Sequence, residues 1–190
     1  MANLIRPAFS LFGFLTVVTG VVYPLAVFGV GQLAFAEKAN GSIITINGVV
    51  VGSRLIGQNF TSPKFFWGRP SATGASPYNA EASSGSNYGP NHPDQQKAIA
   101  NRIGALHSAG GDAATPIPVD LVTASGSGLD PEISIAAAYY QAERVAAARG
   151  IAIGDVKAAI ERHANRRLLG FFGEPRVNVL ELNLDLERKR

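Results

Sequence analysis

A chain of 190 residues with 46% hydrophobic residues is long enough for one domain of ~150 residues plus a further segment. It has no cysteine, which excludes disulfides, thiolate metal centres and cysteine nucleophiles. All cations but Arg6 lie in residues 37–190, where 16 Lys+Arg face 14 Asp+Glu, a balance unlike that of a nucleic-acid surface.

The first predicted element is a membrane helix. Between Arg6 and Glu37 the run PAFSLFGFLTVVTGVVYPLAVFGVGQLAFA holds thirty residues without a charge. A bilayer core of ~30 Å needs ~20 helical residues at ~1.5 Å each. A span over about residues 8–34 fits, within an N-terminal unit of residues 1–36. Tyr23-Pro24 in its middle would kink the helix rather than forbid it. A cleaved signal peptide is the rival reading, since Ala34-Phe35-Ala36 matches an A-x-A cleavage site; but signal h-regions run only ~7–15 residues. The start amine and Arg6 precede the span, and Glu37 and Lys38 cancel after it. The positive-inside rule therefore puts the N-terminus in the cytoplasm and residues 37–190 outside.

Residues 37–190 read as one mixed α+β domain with about three helices and a small sheet. SIITINGVVVGSRLIG places two β-branched runs around Asn47-Gly48, the signature of a type I′ hairpin. Residues 68–93, GRPSATGASPYNAEASSGSNYGPNHP, are a long polar loop by composition, with Phe65-Phe66-Trp67 before it and Tyr78 and Tyr88 within it to pin it down. Asp94 is the expected N-cap of a helix reaching His107, with Ile99, Ile103 and Leu106 on one stripe and Gly110-Gly111 beyond. Pro118 to Thr123 reads as a short strand. A helix from Ala136 to Arg149, closed by Gly150, follows, then another from Asp155 to Leu169 with Arg166 and Arg167 at its negative end. NVLELNLDL, Asn178 to Leu186, alternates apolar and polar residues and reads as a half-buried strand.

The stretch most suggestive of chemistry is DLVTASGSGLDPEIS, Asp120 to Ser134. A P-loop is excluded because Gly-Lys occurs nowhere. Gly126-Ser127-Gly128 is followed by Pro131 where the dinucleotide fingerprint needs glycine. What remains is a glycine turn before a helix, able to hold an anion on free N–H groups, or simply a turn whose Asp130 or Ser134 caps that helix, with Pro131 suited to its first position. The capping reading fits better. Neither Ser125 nor Ser127 sits in G-x-S-x-G, and His92, His107 and His163 offer no obvious base. Their spacing suggests no metal site.

Several stretches, in order, together resemble one family: GVVYPLAV (Gly20 to Val27), VGSRLIGQNF (Val51 to Phe60), FFWGRPSA (Phe65 to Ala72), YNAEASSGSNYGPNHP (Tyr78 to Pro93), PVDLVTASGSGLDPEIS (Pro118 to Ser134) and GEPRVNVLELNLDL (Gly173 to Leu186). The chain is identified by them as a member of the C-subunit family of bacterial Kdp-type potassium-transporting ATPases. Glu132 and Ile135 stand where that family's turn is expected to carry His and Pro, and Tyr88 and His92 vary its SNLGPSN pattern. The resemblance implies a retained single-pass helix in the cytoplasmic membrane and an extracytoplasmic domain without chemistry of its own. It implies three partners: a potassium-translocating channel-like subunit, an ATP-hydrolysing P-type subunit and a small membrane subunit. The expected role is to stabilise the assembly and raise the ATP affinity of the hydrolysing subunit.

On this reading the chain binds no cofactor itself, and ATP acts through the complex. A direct ternary complex with nucleotide is the alternative, and a membrane-anchored serine hydrolase the remoter one. The expected docking surface is the polar loop, through Gly68, Arg69, Pro70, Asn79, Ser83, Ser84, Gly85 and Asn87. The turn Ser125, Gly126, Ser127, Gly128 and Asp130 is a second docking or nucleotide-linked element.

Overall fold

The uncharged run forms a continuous helical rod in the computed structural model, which describes residues 3–188. Helix α1 (Ile5–Val17) passes through a π-helical turn (Val18–Val22) into α2 (Tyr23–Ala34). Together they make 30 helical residues that contain an 18-residue stretch of mean hydropathy 2.1, long and apolar enough to cross a membrane. The disturbance expected at Pro24 is taken up by the π turn just before it, where the missing N–H and the ring clash with the preceding carbonyls are accommodated by a wider helix. Thr19 donates its hydroxyl to the Leu15 carbonyl at 2.7 Å, so this polar group is satisfied inside the apolar run. A single turn, α3 (Ala36–Ala39), follows. The described residues divide into two compact units, one up to Ile43 and one from Ile44 onward.

The second unit is α+β. Strands β1 (Ile43–Ile46) and β2 (Val49–Ser53) pair as a hairpin, and Asn47 and Gly48 take the positive φ values, 51° and 79°, that the turn demands. Helix α4 (Pro93–Ser108) precedes a three-stranded antiparallel sheet of order β3-β5-β4, built from β3 (Glu132–Ser134), β4 (Ala164–Asn165) and β5 (Arg176–Asn178). Ile133 and Ala164 flank Val177 from either side, and Ile133 and Val177 are fully buried. Helices α5 (Ile135–Arg149), α6 (Ile153–His163) and α7 (Val179–Arg188) close the core with Ala137, Ala142, Val145, Val156, Ile160, Leu182 and Leu186. The alanines of α5 are small enough for α6 to approach closely, and every one of these side chains is at most 2% exposed.

Several expectations are corrected. NVLELNLDL is a helix: Val179, Leu182, Asn183 and Leu186 are buried at helical spacing, and Asn178 caps it by accepting from the Glu181 N–H at 3.1 Å. Helix α6 ends at His163 rather than Leu169, because residues 164–165 leave it to pair with β5; Arg166 and Arg167 therefore lie beyond the helix. Pro118 to Thr123 is no strand but a 3-10 turn over Val119–Leu121. His92, not Asp94, caps α4, its Nδ1 accepting from the Asp94 N–H at 3.2 Å.

At the start of α5, Ser134 Oγ accepts from the Ala137 N–H at 3.0 Å, while Asp120 accepts from both the Ser134 N–H and its hydroxyl at 2.7 and 3.1 Å. Ser134→Ala removes the cap and half of the Asp120 contact, and is expected to lower stability by ~1–2 kcal/mol in urea unfolding of the detergent-solubilised chain.

Candidate functional site

The sequence presents the polar loop and the 125–130 turn as separate elements; in the fold they close on one another. Ser127 supplies one carbonyl to both the Ser84 N–H and the Ser83 hydroxyl, each at 3.0 Å. The Ser125 N–H reaches the Pro70 carbonyl at 3.2 Å. Arg69 pairs with Asp130 at 3.0 Å and also points at the Ala124 carbonyl. Gly128 is buried at φ +69°, and a Cβ there would stand 2.5 Å from Thr73 Cγ2 and 2.9 Å from the Ser84 carbonyl oxygen. A Cβ on Gly85 would stand 3.0 Å from the Gly126 carbonyl oxygen. The glycines thus serve backbone-to-backbone approach, not a phosphate.

Within the loop, Ser71 Oγ accepts from the Tyr78 N–H at 2.9 Å and Thr73 Oγ1 from the Asn79 N–H at 3.1 Å. Asn79 in turn accepts from the Glu81 N–H at 3.0 Å, and Asn87 stands exposed at φ 52°. Tyr78 is the pin: its hydroxyl donates to the Arg69 carbonyl at 2.6 Å. Burial, reinforced by the Asp130 carboxylate and opposed by Arg69, pushes its phenol up to about 12. A phenol held neutral in the fold but free to ionise when unfolded stabilises the fold fully below pH ~10, and this contribution is lost as pH rises towards about 12. Alkaline titration at 295 nm should show a high-pH step that Tyr78→Phe removes, with stability of the wild type falling in that same window.

The pieces needed for catalysis are not assembled here. Ser125 is buried, and Ser127 Oγ accepts from the Leu129 N–H at 3.1 Å. The histidines are elsewhere: His92 caps α4 and stacks on Tyr88 at 4.6 Å, His107 sits in the last turn of α4, and His163 faces Asp185 at 3.4 Å. Strand β3 separates the turn from α5, and Ser134 closes that helix N-terminus. Asp130 instead accepts from the Glu132 N–H at 3.0 Å, and Pro131 precedes a strand. The turn therefore has no free helix dipole behind it. No group of metal-ligating side chains occurs among the described residues.

What sequence reasoning missed lies beneath the loop. Asn183 accepts from the Phe66 N–H at 2.8 Å and donates to the Phe66 carbonyl at 3.0 Å; Gln141 does the same for Trp67 at 2.8 and 3.1 Å. Two buried amides thus replace the neighbouring strand that the Phe66-Trp67 backbone lacks. Arg144 braces them, donating to Gln141 Oε1 at 2.6 Å and the Phe65 carbonyl at 3.1 Å, with its guanidinium 4.6 Å from the Trp67 ring centroid. Burial pulls its pKa down to about 10, partly offset by Tyr140. The signal was present as Gln141 and Asn183 on otherwise apolar helical stripes. Gly68, Arg69 and Pro70 continue from this clamp and line a cleft of about 400 Å³ with Phe60, Tyr78 and Arg102.

Comparisons with known proteins agree along the whole chain. Residues 5–188 match the model of the family described as KdpC, "K+-transporting ATPase, c chain". The potassium-transporting ATPase KdpC subunit of Janthinobacterium sp. (strain Marseille) is 56% identical over 189 residues, covering 100% of both chains. That of Paraburkholderia phytofirmans is 56% identical over 100% of this chain and 99% of the relative. The corresponding subunit of Dechloromonas aromatica is 58% identical over 98% of each.

Proposed function

The chain belongs to the family of the K+-transporting ATPase c chain, and from that premise we propose that it is the non-catalytic accessory subunit of a high-affinity, ATP-driven potassium uptake pump. One helix holds it in the cytoplasmic membrane, with its N-terminus inside and its α+β domain outside. Its partners are the channel-like potassium-translocating subunit, the P-type subunit that hydrolyses ATP, and the small membrane subunit. The observation that carries this reading is the joined loop pair. Its inward-facing groups are largely paired with each other, and its outer rim presents small groups at Ser83, Ser84, Gly126, Ser127 and Asn87 beside the larger Glu81 and Tyr88. Such a surface suits close docking through hydrogen bonds rather than catalysis.

An outside domain acts on cytoplasmic ATP only through the assembly, as a coupling of ~1–3 kcal/mol between sites. Two measurements test the reading. Tagged chain should co-purify with the P-type subunit, and its omission should raise that subunit's KM for ATP roughly 5- to 150-fold, the same range of coupling. A single cysteine at Ala148→Cys, exposed on α5 outside the docking loops and in a chain that has none of its own, should react with an impermeant maleimide in intact cells. Reaction only after lysis would overturn the outside placement.

Direct nucleotide binding draws on a separate observation, the cleft whose walls combine Trp67 and Tyr78 with Arg69 and Arg102. Trp67 is the sole tryptophan and a ready reporter. Micromolar quenching by ATP in the full chain would favour that second reading, and a flat titration the first.

A further inference from the structure

The β4–β5 connection is the most apolar exposed feature of the second unit. Leu168, Leu169, Phe171 and Phe172 are 69, 76, 65 and 58% exposed, four large apolar side chains within five residues of a tight tip. Leu169 and Gly170 turn the chain at φ 54° and 82°, and the two phenyl rings lie 4.2 Å apart. Soluble surfaces seldom keep such a cluster uncovered.

Two properties narrow what covers it. Most N–H groups of the tip are satisfied from within: the Leu168 N–H donates to the Phe172 carbonyl at 2.9 Å, the Phe172 and Phe171 N–H groups to the Leu168 carbonyl at 3.0 and 3.3 Å, and the Gly170 N–H to the Arg167 carbonyl at 3.2 Å, while the carbonyls of Leu169, Gly170 and Phe171 at the apex are left to the headgroup layer. A closed tip of this kind suits shallow insertion, with its N–H groups paired internally and its apex carbonyls at headgroup depth, whereas a segment that recruits a protein strand presents an extended row of open N–H and C=O groups. The arginines around its base are also neutralised in place, Arg166 by Glu161 at 3.2 Å, Arg167 by Glu174 at 2.9 Å and Arg176 by Glu132 at 2.6 Å. The collar is zwitterionic, like the headgroup layer of a neutral bilayer. Finally, only ten residues lead from Ala34 to Ile44. Their fully extended reach of ~35 Å is an upper bound, because Ala36–Ala39 are helical, and it limits how far the domain can stand from the membrane.

We propose that the Leu168–Phe172 tip inserts into the lipid surface beside the membrane helix, as a second, reversible contact driven by apolar burial and independent of anionic lipid. This rests on the membrane-held reading above. The test uses the full chain, free of native cysteine, reconstituted in phosphatidylcholine vesicles with Leu169→Cys or Phe171→Cys carrying an environment-sensitive fluorophore. The expected result is at least twofold quenching by acyl-chain doxyl lipid, protection from aqueous iodide, and no change between 0.1 and 1 M salt, the weak screening being that of a non-electrostatic contact. A label at Ser84→Cys should behave in the opposite way. Tip labels quenched by iodide alone, or shielded from both quenchers as under a second copy or a partner protein, would overturn the proposal. Flotation of the same vesicles reads the anchor separately: chains that float with an unquenched tip sink only this inference, whereas chains that fail to float sink the membrane-held reading and the inference together.

Discussion

Asn183→Leu is expected to destabilise the domain by ~3–5 kcal/mol, a large share of the ~5–15 kcal/mol available to a folded protein. Leucine keeps the branched skeleton of asparagine with bulkier ends and suits a helix, so neither a cavity nor lost propensity is the cause, and overpacking can only add to the loss. The cost comes from the partner. Asn183 is 2% exposed and satisfies both backbone groups of Phe66, itself fully buried. Without the amide, an N–H and a C=O stay desolvated with no replacement, each at ~1–3 kcal/mol. Asn183→Asp keeps the acceptor but loses the donor and buries a carboxylate, so it should do no better. Urea unfolding followed by Trp67 fluorescence reports directly on the clamped segment. A loss below ~1 kcal/mol would mean that the Phe66 backbone finds water or another partner.

How much of this arrangement is legible in the sequence depends on which residues are asked. The long apolar helix, the Asn47-Gly48 hairpin and the Gly150 terminus of α5 are local: a run of apolar residues or one obligatory φ specifies each, and the structure keeps them. NVLELNLDL misleads because Val179, Leu182 and Leu186 satisfy a period of 3.6 while the alternation satisfies a period of 2. The deciding signal, Asn178 followed three residues later by Glu181, is the start of a capped helix. Strand β3 is invisible in the sequence because three residues acquire strand geometry only by pairing with β5, some 44 positions away. The clamp fails to show for the same reason: Gln141 and Asn183 reveal a polar residue on a buried stripe, but only the fold brings Phe66 and Trp67 to them. At the candidate site both loops are readable as polar and glycine-rich. That they are each other's partner is not, because Ser84 and Ser127 meet through backbone atoms that every residue shares.

That backbone contact makes Gly128→Val the sharpest probe of the docking surface. Valine at φ +69° carries a left-handed penalty of ~1–2 kcal/mol or more, β-branching adding to it, before any clash is counted. Its Cβ would also meet Thr73 Cγ2 at 2.5 Å and the Ser84 carbonyl oxygen at 2.9 Å. The threonine methyl can rotate away, but the carbonyl belongs to the chain, so residues 83–85 must move off the turn and give up the two bonds to Ser127. Gly154 lies on α6, outside the loop pair. A Cβ added there would meet nothing within 4 Å and no positive φ is involved, so Gly154→Ala is the control that should leave assembly unchanged. For Gly128→Val the fold should survive, because the clamp and the α5–α7 core are separate from the loop pair, with a stability loss of ~2–4 kcal/mol. Co-purification with the P-type subunit should fall at least tenfold, equivalent to ~1.4 kcal/mol of assembly free energy or more. Loss of stability with undiminished assembly would reduce the joined loops to a structural brace and move the docking surface elsewhere on the domain. Loss of assembly in a chain that keeps its far-ultraviolet circular dichroism, with Gly154→Ala at wild-type levels, ties partner recognition to the geometry that only glycine permits at position 128.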